Sequence, residues 1–184
     1  MKKLAVFISG FGSNLQTIAE FCQNNPTLAQ IQIVISNKPN INGLKIAESF
    51  KIPSIIIPTK SIEITQFEQE SEKYLQDIDL ICLAGFMRVL SEDFTTKWNQ
   101  KIINIHPSLL PSFKGTHAIK DALSFGVKIT GCTVHFVEKE IDSGKIISQE
   151  AIIIEKNENE TTLKQKMQVA EKTAYTNALN NLLN

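Results

Sequence analysis

Leu4-Ala5-Val6-Phe7-Ile8-Ser9-Gly10-Phe11-Gly12-Ser13-Asn14-Leu15 carries an apolar run of strand length into a turn with two glycines and on into a helix. The helix is legible in Leu15, Ile18, Ala19 and Cys22, which fall at i, i+3, i+4 and i+7 and line one face. Ile31 to Ile35, Ser54 to Ile57, Leu80 to Ala84 and Ile102 to Ile105 read as further strands, and Ile64, Phe67, Tyr74 and Leu75 as a second amphipathic crossover helix. Strands alternating with helices predict an α/β fold: an open, mostly parallel twisted sheet with helices on both faces.

A shorter helix near Ala118 to Phe125 is stopped by Gly126. Cys132 to Val137 and Lys145 to Ile154 then read as two antiparallel strands across a polar turn containing Asp142-Ser143-Gly144. From Thr161 onward Leu163, Met167, Ala170, Ala174, Ala178 and Leu182 step by three and four, which predicts a long C-terminal helix capped by Thr161 or Thr162 and packed on the sheet.

The chain has 184 residues, 42% hydrophobic and 21% charged, a size and balance suited to one globular domain over residues 1–184. Nineteen basic and nineteen acidic side chains cancel, so the charge footprint of a general nucleic-acid binder is missing and small-molecule ligands are expected. Met1-Lys2-Lys3 opens a first strand rather than a signal peptide, and no apolar run reaches the roughly 18 residues that span a bilayer. A cytoplasmic protein without membrane contact is expected, with Cys22, Cys82 and Cys132 as reduced core thiols.

Two motifs carry chemistry. In Ile102-Ile103-Asn104-Ile105-His106-Pro107-Ser108-Leu109-Leu110-Pro111, Asn104 and His106 share one face of a strand that Pro107 ends. With Asp142 they supply an oxyanion donor, a proton shuttle and a carboxylate, the services that acyl transfer to an amine requires. By spacing alone, the histidine can equally be a structural hydrogen-bonding residue, and Asp142-Ser143-Gly144 only a turn. Ser108 lacks a nucleophile-elbow context, so direct transfer is expected. The histidines His106, His117 and His135 do not make a metal site, because Cys132 and His135 point to opposite strand faces. His135 reads as a packed or hydrogen-bonded strand residue, and His117 as a cap or lining of the loop Phe113 to Thr116.

The second motif is Ser9 to Leu15, whose exposed N–H groups and helix dipole suit a phosphate. Its spacing is neither that of a Walker A loop nor GxGxxG. The alternative is a tight turn with Ser13 or Asn14 as helix cap. Leu83 to Leu90 leaves its strand as a possible wall for a flat heterocycle; its Arg88 is the sole arginine, and the bland reading gives it a surface carboxylate partner.

Together these segments resemble the glycinamide ribonucleotide formyltransferases of purine biosynthesis. The likeness covers Ile8 to Gln16, Ile35-Ser36-Asn37-Lys38, Leu83 to Leu90, Ile103 to Pro111, Gly131 to Val137, and Asp142-Ser143-Gly144 with Ile146, Ile147 and Gln149. It implies a Rossmann-like formyltransferase fold, 10-formyltetrahydrofolate as co-substrate without a metal, and glycinamide ribonucleotide as acceptor. Asn104, His106 and Asp142 fall on the family's catalytic trio. The resemblance implies that Gly12, Ser13 and Asn14 would hold the ribonucleotide phosphate and that Gln168 and Glu171, on one face of the last helix, would contact the same substrate. By the same resemblance Met87, Arg88, Val89 and Leu90 would line the folate pocket, facing Lys139, Glu140, Ile141 and Asp142, with Asn104 also a folate contact.

The chain departs from the family at Phe11, where a polar or basic residue is expected, and at Lys145, where proline is common. By the same resemblance a basic residue after the third strand reaches the phosphate, and Lys60 is the candidate there. The chain is expected to act as a monomer or homodimer. Rivals are a formyltetrahydrofolate deformylase, for whose N-terminal regulatory domain a loop starting at residue 9 leaves no space, and a methionyl-tRNA formyltransferase, which carries a further C-terminal domain. A sugar-nucleotide formyltransferase fits the Ser9 to Leu15 loop less well. From another class comes an idle folate- or phosphate-binding module.

Overall fold

The computed structural model describes residues 1–184. Seven strands, β1 (Lys2–Ile8), β2 (Ala29–Ser36), β3 (Ser54–Ile56), β4 (Leu80–Leu83), β5 (Ile102–His106), β6 (Ile129–Phe136) and β7 (Ile146–Ile153), form one sheet in the order β3-β2-β1-β4-β5-β6-β7. β1 to β5 pair in parallel, and β6 and β7 are antiparallel additions at one edge. The strand order reverses direction between β1 and β4, so the crevice at their carboxyl ends is where an open α/β sheet accepts ligands.

Six helices complete the chain: α1 (Ser13–Asn24), α2 (Asn42–Ser49), α3 (Ile64–Glu72), α4 (Glu92–Lys97), α5 (Ala118–Phe125) and α6 (Glu160–Leu183). The central strands are apolar at successive positions because both faces are covered. Leu4, Val6, Ile8, Ile103 and Ile105 pack under α1 and α6, whereas Ala5, Phe7, Ile81, Leu83 and Ile102 pack against Phe67 of α3 and Phe94 of α4. Each of these side chains larger than Ala5 stabilises the fold by about 1.5–3 kcal/mol. Tyr175 of α6 is fully buried and donates to the Leu83 carbonyl, tying the last helix to the middle of the sheet.

Several boundaries differ from the sequence reading. The C-terminal helix starts at Glu160, capped by Asn159 rather than by Thr161 or Thr162; Asn159 accepts from both of their backbone N–H groups, and Thr162 returns a bond in a capping box. α3 stops at Glu72, which leaves Tyr74 exposed instead of on the apolar stripe. β6 begins three residues before Cys132, at Ile129. α2 and α4 went unread: they have only 8 and 6 residues, too few for a periodic stripe to stand out.

Candidate active site

The carboxyl edge of the sheet gathers both sequence motifs. β1 runs into Ser9 and Gly10, and Gly12, at φ 90°, forms the N-cap of α1 with no side-chain cap bond. Neither Ser13 nor Asn14 caps the helix, so the first-turn N–H groups are left for a ligand. Gly12 has a packing reason as well: a Cβ there would lie 2.6 Å from the Gly43 Cα of α2. The start of α2 draws the loop carbonyls away, since Gly43 N–H donates to Gly10 O at 3.1 Å and the Asn42 amide to Phe11 O at 2.8 Å. The Phe11 ring itself is exposed.

Asn14 is buried and its amide donates to Glu171 Oε2 of α6 at 3.0 Å, joining two of the predicted ribonucleotide residues across the fold. Burial pushes the Glu171 carboxyl above its usual range, against the opposing effect of the Asn14 bond. Gln168, one turn earlier, is exposed. Lys60 is also exposed, just beyond β3.

The Met87 N–H donates to Ser9 Oγ at 2.8 Å, so the loop after β4 is tied to the loop after β1. Met87 and Val89 are exposed apolar side chains, whereas Leu90 belongs to the core and has only its backbone to offer a ligand. Arg88 pairs with no surface carboxylate; its guanidinium donates to Thr59 O at 3.1 Å. Lys139, Glu140 and Ile141 are exposed, with Lys139 bonded to Glu92 at 2.7 Å.

Asn104 and His106 project from one face of β5, as their spacing predicts, with Asn104 half-buried and His106 buried. Both ring nitrogens of His106 meet acceptors: Nε2 lies 2.8 Å from Phe113 O and Nδ1 3.3 Å from Asp142 Oδ2. An imidazolium, which donates at both nitrogens, satisfies this pair of acceptors. Asp142 Oδ2 also accepts from the Gly115 N–H at 2.9 Å. Phe113 and Asp142 both adopt left-handed backbone at φ 52°, so two non-glycine residues at the site are held in a costly conformation.

A buried hydroxyl braces the loop between His106 and Phe113. Thr133 Oγ1 donates to Ser108 O at 2.7 Å and accepts from Leu110 N–H at 3.0 Å and from the Gln149 amide at 2.9 Å. Ser108 is buried and its hydroxyl donates to Ser112 O, a structural bond rather than a nucleophile's setting. His135 is the packed, hydrogen-bonded strand residue that the sequence predicts, but its place beside Asp142 went unread. The β5–β6 register sets it opposite Asn104, and its Nε2 faces Asp142 Oδ1 at 3.8 Å. The signal was present: Thr133 and His135 repeat the two-residue spacing of Asn104 and His106 on the neighbouring strand. His117 stands at the start of α5 without capping it, and all three cysteines are free and buried. No group of three or more His, Cys, Asp or Glu is arranged to hold a metal, and no helix is long and apolar enough to cross a membrane.

The family model described as formyl transferase matches residues 2–179. The phosphoribosylglycinamide formyltransferase of Bacillus subtilis (strain 168) is 39% identical over 186 residues, covering 100% of this chain and 95% of that protein. The trifunctional purine biosynthetic protein adenosine-3 of Homo sapiens is 46% identical over 180 residues; the match takes in 96% of this chain and 18% of that protein, so the chain spans under a fifth of the trifunctional relative. Among solved structures, a phosphoribosylglycinamide formyltransferase from Anaplasma phagocytophilum superimposes with a TM-score of 0.87 at 42% identity, covering 96% of this chain and 84% of that one. The glycinamide ribonucleotide transformylase 1 of Geobacillus kaustophilus gives a TM-score of 0.93 at 34% identity, with all of both chains covered. Sequence and overall fold agree along nearly the whole length, and the chain belongs to the formyl transferase family.

Proposed function

We propose that this chain is a phosphoribosylglycinamide formyltransferase: it passes the formyl group of 10-formyltetrahydrofolate directly to the amine of glycinamide ribonucleotide, giving the formylated ribonucleotide and tetrahydrofolate in purine biosynthesis. The observation that carries the reading is His106, gripped between Phe113 O and Asp142 Oδ2 beside half-buried Asn104, on the sheet edge where the uncapped start of α1 opens. The names of the relatives support the acceptor and the formyl group transferred; the folate donor rests on the resemblance.

In this reading Gly12, Ser13 and Asn14 present backbone N–H groups to the ribonucleotide phosphate, and Glu171 and Gln168 approach its sugar from α6. Met87 to Leu90 and Lys139 to Asp142 flank the folate. The amine nitrogen adds to the formyl carbon, and the Asn104 amide with protonated His106 stabilises the oxygen that gains charge. The carbon–nitrogen bond to folate then breaks. The proton shed by the amine reaches the departing folate nitrogen, with Asp142 holding the imidazole in place and accepting or relaying the proton. Because Nε2 of His106 is engaged by Phe113 O, its use on the formyl oxygen is an exchange of one acceptor for another, and the Phe113 carbonyl must swing aside.

The test is turnover and binding in the variants. His106→Ala is expected to lose on the order of 10² to 10⁴ in kcat, and Asn104→Ala on the order of 10² to 10³, with folate binding by titration little changed. Asp142→Asn should bind folate and transfer slowly. Near-normal turnover in either alanine variant removes that residue from the mechanism.

A further inference from the structure

One buried polar atom beside the site has no partner: His135 Nε2. The ring is only 2% exposed and aims Nε2 at Asp142 Oδ1 across 3.8 Å, beyond hydrogen-bond reach. Its other nitrogen is committed. Nδ1 lies 2.8 Å from the Phe136 carbonyl, which can only accept, so Nδ1 carries the proton of the neutral ring and Nε2 is bare. Burial holds this imidazole below its ordinary pKa, against the opposing pull of the Phe136 carbonyl and of Asp142. The titratable groups facing it are Asp142 from the turn after β6, His106 from β5, and Glu138 just past the end of β6. The carboxylate is divided in a complementary way. Oδ2 takes the Gly115 N–H and faces His106 Nδ1, while Oδ1 takes no donor from the protein.

We propose that His135 is a positioning residue that keeps Asp142 Oδ1 unpaired: β6 locks its ring as the Nδ1–H tautomer, so that a lone pair rather than an N–H faces the carboxylate. The inference rests on the assignment of Asp142 to the reaction. Oδ2 orients His106, and Oδ1 stays free for a proton or a water arriving from the reacting groups. Once protonated at Nε2, the ring becomes a donor beside Oδ1 and draws the carboxylate from His106. The site then loses its proton acceptor on the acid side, through a group that never touches substrate.

Nitrogen NMR of ring-labelled histidine in the full chain reads the tautomer directly, with His135 assigned by its loss in His135→Phe or by difference from His106→Ala and His117→Ala. The expected result is the neutral Nδ1–H tautomer at neutral pH, with Nε2 gaining its proton over the pH range in which kcat falls on the acid side. His135→Phe, which has neither donor nor titration, should lack that acid-side ionisation. His135→Gln, whose amide can donate to Oδ1, should have a kcat at least about tenfold below that of His135→Phe, the loss expected from quenching a charged acceptor, with both KM values little changed. An Nε2–H tautomer, a charged ring at neutral pH, or an acid limb in His135→Phe that overlays the wild type overturns the proposal. His106→Ala separates this from the underlying assignment: normal turnover there refutes the catalytic trio, whereas the tautomer of His135 is decided by the spectrum alone.

Discussion

Glu171 is a buried carboxyl whose charge costs stability and which, under the proposed function, meets the ribonucleotide. Its folded-state pKa is raised, chiefly by burial, so the folded chain binds its proton more tightly than the unfolded chain does. Stability therefore falls as pH rises from the ordinary carboxylate range through the raised value. Glu171→Gln removes the buried charge and still accepts the Asn14 hydrogen bond. It should melt higher than the wild type at neutral pH, by about 2–4 °C for each kcal/mol relieved, and lose that advantage in acid. It should also raise the KM for the ribonucleotide. Thermal melts across pH, paired with steady-state kinetics, check both outcomes; equal melting temperatures at neutral pH would show that the buried charge costs nothing. At this scale Asn104 and His106 were legible from a two-residue spacing before a proline. The partners that orient them were not, because Phe113 O and the Gly115 N–H are backbone groups that any sequence provides.

Among the elements, the β5–β6 pairing does the most to shape the site. It sets Thr133 opposite His106 and His135 opposite Asn104, a register that no single strand encodes. This is why both residues read as ordinary strand positions until the neighbouring strand was in place. Thr133→Val keeps the volume but removes the three hydrogen bonds that hold Ser108, Leu110 and Gln149. Each buried backbone group left unpaired costs about 1–3 kcal/mol. The variant should melt several degrees lower and turn over more slowly, with the KM for the ribonucleotide least affected; an unchanged kcat would detach the loop brace from catalysis. The start of α1 gives a second prediction. Gly12→Ala forces a Cβ to 2.6 Å from Gly43 at a left-handed φ, a conformation that alone costs roughly 1–2 kcal/mol. Loss of ribonucleotide affinity exceeding loss of folate affinity is expected, read by titration of each ligand; the reverse order would place the phosphate elsewhere.

For the molecule as a whole, the parallel sheet brings the loops after β1, β4 and β5 to one edge, and the connection after antiparallel β6, which leaves beside the start of β5, folds back so that Asp142 meets His106. Composition and alternation made the parallel half readable, since strands buried on both faces must be continuously apolar. Short α2 and α4 escaped because their stabilisation comes from packing rather than from pattern. The Ser9–Met87 bond ties the loop after β1 to the loop after β4, so the two proposed substrate sites would share one frame. The central claim is that this frame delivers the formyl group to an amine and not to water. Its most direct test follows an isotope-labelled formyl carbon by NMR as the purified chain consumes 10-formyltetrahydrofolate with glycinamide ribonucleotide present and absent. The account predicts label in the formylated ribonucleotide when the acceptor is present and negligible consumption without it; label accumulating as formate at the same rate in both samples would contradict it.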